Sequence, residues 1–535
     1  MLNLLGKLWF TGAVVMPLVS ASISAIGRRG RDRRCRTATA LGWFGAVLAL
    51  AAALWVALRG PFTVVLVTGG GRPLVGLWAN QLTVTLLTLV CVVGAVVQSF
   101  SLRYLQGDRT APRFFAAANV VVAAMAVVCT SATVAVLVVA WVSAGMGFVM
   151  VVGARPDLPG VRTATRRTLR MFAAGDLALV AALAVMCLRV GNIDLASPLA
   201  LRSAAEHLGS TTTLVAALVA VAALTRSAQG PLGRWLPGTV AAPTPASALL
   251  HAGVVNGGGI LLVRLAGLTG GSVLVMVGVF SVAGVTAAAA AVQMVHKPDV
   301  KGSLVYSTIG QMGFMVTECA VGAYLAAVVH LIGHAFYKAT LFFGTGSQVP
   351  RAGQHPRGSE GTIPTPLRAL AAGATTVATL AAMAAVPGVL TTRAAGVLLV
   401  FVAATVASAA WSWWGRGSVS ARWAALWTAG LVVAGMLYGL ALAVVGSWIA
   451  PALPPAGAGT LSPWWLAGVA GGGLVTVGLA HLPSARRRAV AVLVNAGAPP
   501  LGLPARGEGE AGRAMLPGMP GSIRELVGLW EESAA

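Results

Sequence analysis

The sequence predicts an all-α membrane protein, a polytopic bundle of about 14–15 transmembrane helices with breaks in some of them. Three observations predict it. Hydrophobic residues make up 57% of the 535, charged residues only 10%, and mean hydropathy is +0.84; a soluble domain carries ~25% charged residues and keeps a polar coat. Apolar runs of ~18 or more residues recur, each long enough to cross a ~30 Å hydrocarbon core as a helix. The runs at 82–97 and 273–295 do not alternate in polarity, which argues against the alternating strands of a membrane β-barrel.

In chain order, spans are expected at 4–26, 38–58, 78–100, 113–130, 132–153, 168–188, 211–225, 243–266, 271–295, 302–320, 323–345, 366–388, 394–414, 422–447 and 463–482. The first run reads as a retained helix and not a signal peptide, because its basic cluster follows it. The organisation is a set of N-terminal helices (1–110), a core (111–350), C-terminal helices (351–483) and a Gly/Pro-rich tail (484–535) that turns acidic at Glu525, Glu531 and Glu532. The tail reads as cytoplasmic and partly disordered.

The net charge of +23 sits in short loops between spans, which is the positive-inside pattern and not a nucleic-acid footprint. With the N-terminus outside, basic clusters at 28–36, 103–113, 155–167, 297–301, 351–357, 416–422 and 486–488 all become cytoplasmic. The alternate loops at 129–131, 267–271, 320–324 and 448–462 are nearly free of Lys and Arg. The five cysteines form no CxxC pair, so no zinc or iron–sulfur motif is visible, and no metal or cofactor is expected in this chain. No phosphate-binding loop motif is visible either. Energy for transport must then come from an ion gradient or a partner.

The 211–242 segment must count as a single crossing. Arg226, Ser227, Gln229, Gly230, Pro231 and Gly233 interrupt its apolar run. Non-helical backbone at membrane depth survives only when buried in protein or lining a wet cavity, and transporter sites use such breaks. A loop with a short surface helix explains the same residues equally well.

Ionisable groups inside apolar spans are costly and few here. His330, His334 and Lys338 follow one another at i, i+4, i+8 in VVHLIGHAFYKATLFF, so they share one helix face. Imidazole titrates near neutrality, and such a stripe can pass protons; the bland reading is a set of interhelical hydrogen bonds. His251 lies in an apolar helix before Asn256 and three glycines, where packing alone is a sufficient reason for it. Asp176 lies in FAAGDLALVAAL and should be protonated or paired, with Arg226 the natural partner. Lys301 starts a helix and on its own reads as an interfacial anchor. Glu318, near the outer end of the same helix, is expected to face water, and Arg393 to anchor a helix end. Trp411, Trp413 and Trp414 suit an interfacial belt.

TRSAQGPLGRWLPGTVAAPTPASALLHAGVVNGGGILLVRL (225–265) and PDVKGSLVYSTIGQMGFMV with VVHLIGHAFYKATLFFGTGS (298–347) resemble the antiporter-like proton-channel family, which includes the large membrane subunits of complex I and of multisubunit cation/proton antiporters. The resemblance covers roughly residues 80–350. Within the family the chain looks most like the DabB subunits of inorganic-carbon transporters. The resemblance implies an antiporter-like fold and a proton-translocating core at 111–350. It also implies placement in the membrane lipid of a bacterial plasma membrane and a DabA-like zinc partner similar to β-carbonic anhydrase. Protons flowing inward would energise hydration of CO2 to bicarbonate, with the catalytic chemistry and the zinc in the partner. By position, Lys301, His330, His334 and Lys338 match the family's polar axis, His251 the histidine of its broken-helix region, and Asp176 a family aspartate. Two departures stand out. The family's antiporter subunits carry WEG where this chain has Trp141–Val142–Ser143, and a family lysine is replaced by Arg226. Arginine holds its proton at any physiological pH. Arg226 is therefore expected to be a fixed charge that biases Asp176, leaving His330, His334 and Lys338 as the titrating relay. No lysine lies in 394–414, so the outer half of the path has no assigned carrier. A subunit of a redox complex and a cation/proton antiporter are the competing readings.

Overall fold

The computed structural model describes residues 2–26, 30–69, 72–196, 198–297, 299–347, 365–389, 395–414 and 421–453. The expected span at 463–482, the 484–535 tail, Arg393 and the basic loop at 351–357 lie outside the described residues.

The chain opens with two antiparallel helices, α1 (Leu2–Ile26) and α2 (Arg31–Arg59), joined across the basic cluster. The helix of α2 begins seven residues earlier than the apolar run, because Asp32 in its first turn and the long basic side chains tolerate helical backbone at the interface. A two-stranded antiparallel hairpin follows, β1 (Phe62–Gly69) and β2 (Arg72–Ala79). This is a departure from the all-helical expectation. The run FTVVLVTG–RPLVGLWA is rich in β-branched residues on either side of glycines, which is a hairpin signal, and it is too short to span as a helix. β2 bridges to Ser131, which fixes the hairpin to one end of the bundle.

Helices α3 (Gln81–Tyr104), α4 (Ala111–Thr130) and α5 (Val134–Val152) form the inner packing layer. Asn80 starts α3 through a capping box with Thr83, supplying partners for backbone N–H groups that lipid cannot satisfy. Gln98 and Asn119 exchange side-chain amide bonds at 3.2 Å between α3 and α4, polar glue of the kind buried helices use where apolar burial gives little driving force. α6 (Val161–Arg189) and the short α7 (Pro198–Leu208) lead to α8 (Thr212–Arg226).

The chain then breaks. Two 3₁₀ turns, Gly230–Gly233 and Pro237–Ala241, connect α8 to α9 (Thr244–Ala252); a third, Val254–Asn256, separates α9 from α10 (Gly257–Arg264) and α11 (Ala266–Thr269). Ser227, Ala228 and Gln229 are fully buried. The break is therefore enclosed in protein, and the alternative of a surface loop is wrong. Several of its polar groups are met by protein: Ser227 Oγ donates to Val255 O, Gln229 Nε2 to Ser227 O and Ile309 O, and Trp235 Nε1 to Thr225 O, while Gln229 Oε1 is buried without a protein hydrogen-bond partner.

The remaining helices are α12 (Val273–His296), α13 (Val300–Ala320), α14 (Tyr324–Phe343), α15 (Thr365–Ala384), α16 (Ala395–Trp414) and α17 (Ala421–Ile449). Asp299 caps α13 by accepting from Gly302 N. Twelve helices among the described residues are long and apolar enough to cross a membrane. α13 is of spanning length but more polar, and carries Lys301, Gln311 and Glu318. Large apolar side chains such as Leu54, Val139, Leu177, Leu274 and Leu426 point outward, as they do when lipid replaces water.

Candidate functional site

The first polar centre lies where α8 ends. Arg226 is the last residue of α8, and Asp176 sits midway along α6. Their side chains are 2% and 15% exposed, and Arg226 Nη2 meets Asp176 Oδ1 at 2.9 Å. The same nitrogen donates to Trp141 O on α5 at 3.3 Å. The guanidinium carbon lies 4.4 Å from the ring centres of both Trp141 and Phe172, so the cation is held between two π faces in a dry setting where that contact is strongest. Space for it comes from Gly145 on α5. A Cβ there would stand 2.9 Å from Arg226 Nη2 and 3.2 Å from Asp176 Oδ2. The sequence-based pairing of Asp176 with Arg226 is thus what the fold builds. Val142 leaves the charge of Arg226 balanced by Asp176 alone among the ion pairs of the described residues.

The second centre is built on α14. Eight residues separate His330 from Lys338, ~12 Å of helix. Lys338 is buried, and its Nζ donates to Ser307 Oγ at 2.9 Å and Leu304 O at 3.4 Å on α13. His251, at the end of α9, is fully buried and stacks on Phe342 of α14 with ring centres 4.4 Å apart and planes 9° apart. Lys338, His251 and His334 lie within electrostatic reach of one another. The rings of His330 and His334 stand edge to face, 6.2 Å between centres. Both ring nitrogens of His251 and of His334 are buried without a protein hydrogen-bond partner. His330 and His334 line a cavity of about 440 Å³ between α13–α14 and α15–α17, with Gln311, Thr379 and Tyr438 also on its wall. One water needs ~30 Å³ of liquid volume, so the cavity has room for several.

One sequence expectation, that for Glu318, changes, while Lys301 keeps its place at the start of a helix. Lys301 sits half-buried in the first turn of α13, one turn before Leu304. No hydrogen bond joins it to Lys338 among the described residues. Glu318 was expected to face water, and instead it is 1% exposed with Oε2 3.1 Å from His330 Nδ1. Sequence reading missed it because it lies within a turn of a helix end, where carboxylates usually meet solvent; α14 and α17 cover it. Arg264 was also missed. It is buried at the end of α10, and its guanidinium donates to Cys129 O at 2.7 Å and to Ser131 O. It closes the unpaired carbonyl end of α4, a structural cap. Among the described residues, no three His, Cys, Asp or Glu side chains come together as a metal-holding group. Among the described residues, no hydrogen bond bridges the Asp176–Arg226 pair to the α14 stripe.

Known proteins resemble this chain in sequence and fold. Residues 67–115 match the family described as NADH-ubiquinone oxidoreductase (complex I), chain 5 N-terminus. The chain is 36% identical over 283 residues to a probable inorganic carbon transporter subunit DabB1 of Halothiobacillus neapolitanus, covering 52% of this chain and 51% of that one. It is 30% identical over 348 residues to NADH-quinone oxidoreductase subunit L of Mycobacterium tuberculosis, covering 63% and 55%. The chain thus spans about half the length of the curated relatives it matches. Among solved structures, the Mrp complex from Dietzia sp. superposes with a TM-score of 0.59 at 25% identity, over 93% of this chain and 59% of that chain. The archaeal membrane-bound sulfane sulfur reductase shares the fold with a TM-score of 0.56 at 17% identity, over 89% of this chain and 76% of that one. Residues 131–413, just over half of the chain and containing Asp176, Arg226, His251, His330, His334 and Lys338, match the transmembrane family of NADH:quinone oxidoreductases and Mrp antiporters, and the chain belongs to that family.

Proposed function

We propose that this chain is the proton-conducting membrane subunit of an energy-coupled inorganic-carbon pump, working with a zinc protein similar to β-carbonic anhydrase that carries out the chemistry on CO2 and bicarbonate. The observation that carries proton conduction is the file Lys338, His334, His330 on one face of α14, the first two buried and His330 partly so, with His251 beside it and a cavity with room for water at His330 and His334. Protons move by exchange of bonds between such groups, so a file of titratable side chains with water between them suffices. In this reading Lys338, held by Ser307, takes or gives protons at one end, and His251 and His334 bridge the interior. Arg226 stays charged and fixes the ionised form of Asp176, while Lys301 feeds the path from the end where α13 begins. That end faces the cytoplasm of a bacterial plasma membrane, and the N-terminus lies outside. The cargo is argued from likeness to DabB subunits.

A second reading, a proton-pumping subunit of an NADH-quinone oxidoreductase, is favoured by the longer alignment with subunit L. Purification of the tagged chain from its native membrane separates them. A zinc-bearing partner supports the first, and flavin and iron–sulfur partners overturn it. In proteoliposomes of the purified complex, Lys338→Ala is expected to lower proton flux by about a hundredfold or more, read with a pH-sensitive dye. Unchanged flux rules out the α14 file as the route.

A further inference from the structure

The family match leaves the path without a carrier between His330 and the membrane surface at the α13–α14 turn, since α16 contains no lysine. The geometry points to Glu318. We propose that Glu318 and His330 form the terminal proton-transfer pair, and that protons enter or leave the path through this carboxylate. The inference rests on the proton-conduction reading above.

Four observations support it. Glu318 is 1% exposed, yet it lies one helical turn from Gly322, which is exposed in the turn that follows α13. It therefore lies within one helical turn of the exposed end of this helix pair, with Cys319, Ala320 and Val321 buried between. Its Oε2 is 3.1 Å from His330 Nδ1, the next group in the file, a distance that allows direct transfer. Its Oε1 is buried without a protein hydrogen-bond partner, so one oxygen remains to receive or release a proton. The groups facing it belong to other helices: His330 on α14, and Tyr438 on α17, which is near enough to feel its charge. No lysine or arginine is ion-paired with it among the described residues. Buried charges are ordinarily paired, and here the partner is an imidazole and not a lysine or arginine.

The step balances simply. The Nδ1–H bond of a protonated His330 breaks as an O–H bond forms on Glu318 Oε2, giving neutral imidazole and carboxylic acid. The acid then passes its proton to water at the α13–α14 turn and returns to carboxylate. Inward flow is the same sequence reversed.

The test uses the complete complex in proteoliposomes. Glu318→Gln keeps size and hydrogen bonding but cannot carry a proton; Glu318→Asp keeps the carboxyl on a shorter arm. Expected results are a flux loss of about a hundredfold for Glu318→Gln, partial recovery for Glu318→Asp, and unchanged melting behaviour for both. Wild-type flux in Glu318→Gln overturns the assignment. So does an equal loss in both variants with lowered melting temperatures, which marks a packing role. A wild-type complex that moves no protons overturns the conduction reading itself and this inference with it. A conducting wild type with a conducting Glu318→Gln overturns only the role of Glu318.

Discussion

At the residue scale, the Asp176–Arg226 pair shows how a rare charge in an apolar span finds its partner. An isolated carboxylate in α6 is expensive, and so is an isolated guanidinium at the end of α8. Packing α6 against α8 brings them to 2.9 Å. Removing one partner leaves the other buried and uncompensated, which costs about 3–5 kcal/mol, while replacing both by apolar groups of similar volume is about neutral. Arg226→Met is therefore expected to lower the melting temperature of the purified protein sharply, and Asp176→Leu added to it to restore most of the loss. If the double variant is no more stable than the single one, the pair is not the source of the cost. This pairing was legible from sequence because few charges compete for partners within the membrane. Glu318 and Arg264 were not legible. Both sit at helix ends, where a charge ordinarily reaches solvent, and what buries them comes from helices distant in sequence: α14 and α17 around Glu318, the end of α4 against Arg264.

At the scale of elements, the long apolar runs that fall on described residues were read correctly as helices, because lipid leaves self-satisfied helical backbone as the alternative. The boundaries failed where arginines continue the helix past the hydrocarbon, as in α2 and α6, and the hairpin at 62–79 was passed over because it is too short to span. The break after α8 was legible in kind from its glycines and prolines. Its enclosure was not, since that depends on how closely α10 approaches α8. Gly258 sets that approach: a Cβ there would collide with Ser227 Oγ and the Ala223 carbonyl of α8. Backbone cannot swing aside as a side-chain tip can, so Gly258→Ala should destabilise the fold by about 1–3 kcal/mol. It should also displace Ser227 from Val255 O, which it reaches at 2.9 Å. A variant with the wild-type melting temperature in the same detergent contradicts this tight crossing.

At the scale of the whole molecule, contacts between distant loops sort the bundle into two ends. Arg155 binds Asp108, tying the α5–α6 loop to the α3–α4 loop, and Phe343 at the end of α14 stacks on Phe100 near the end of α3. Arg264, Ser131 and the hairpin gather at the opposite end, where Trp448 also reaches Thr85. This alternation follows the basic-loop pattern of the sequence. With Cys187 replaced by serine, cysteines placed at the exposed positions Gln106 and Pro156 should react with a membrane-impermeant maleimide from one side. One placed at exposed Ser210 should react only from the other. Reaction of Gln106 and Ser210 from the same side refutes the arrangement. The guanidinium wedged between Trp141 and Phe172 also bears on selectivity. A sodium ion seeking passage there must bring its own charge and part of its water shell up against a fixed positive neighbour in a medium that screens little. A hydrogen ion handed between atoms need not occupy that space at all, so on the proton-conduction reading proposed above the same residue that pairs with Asp176 would act as a filter against metal cations.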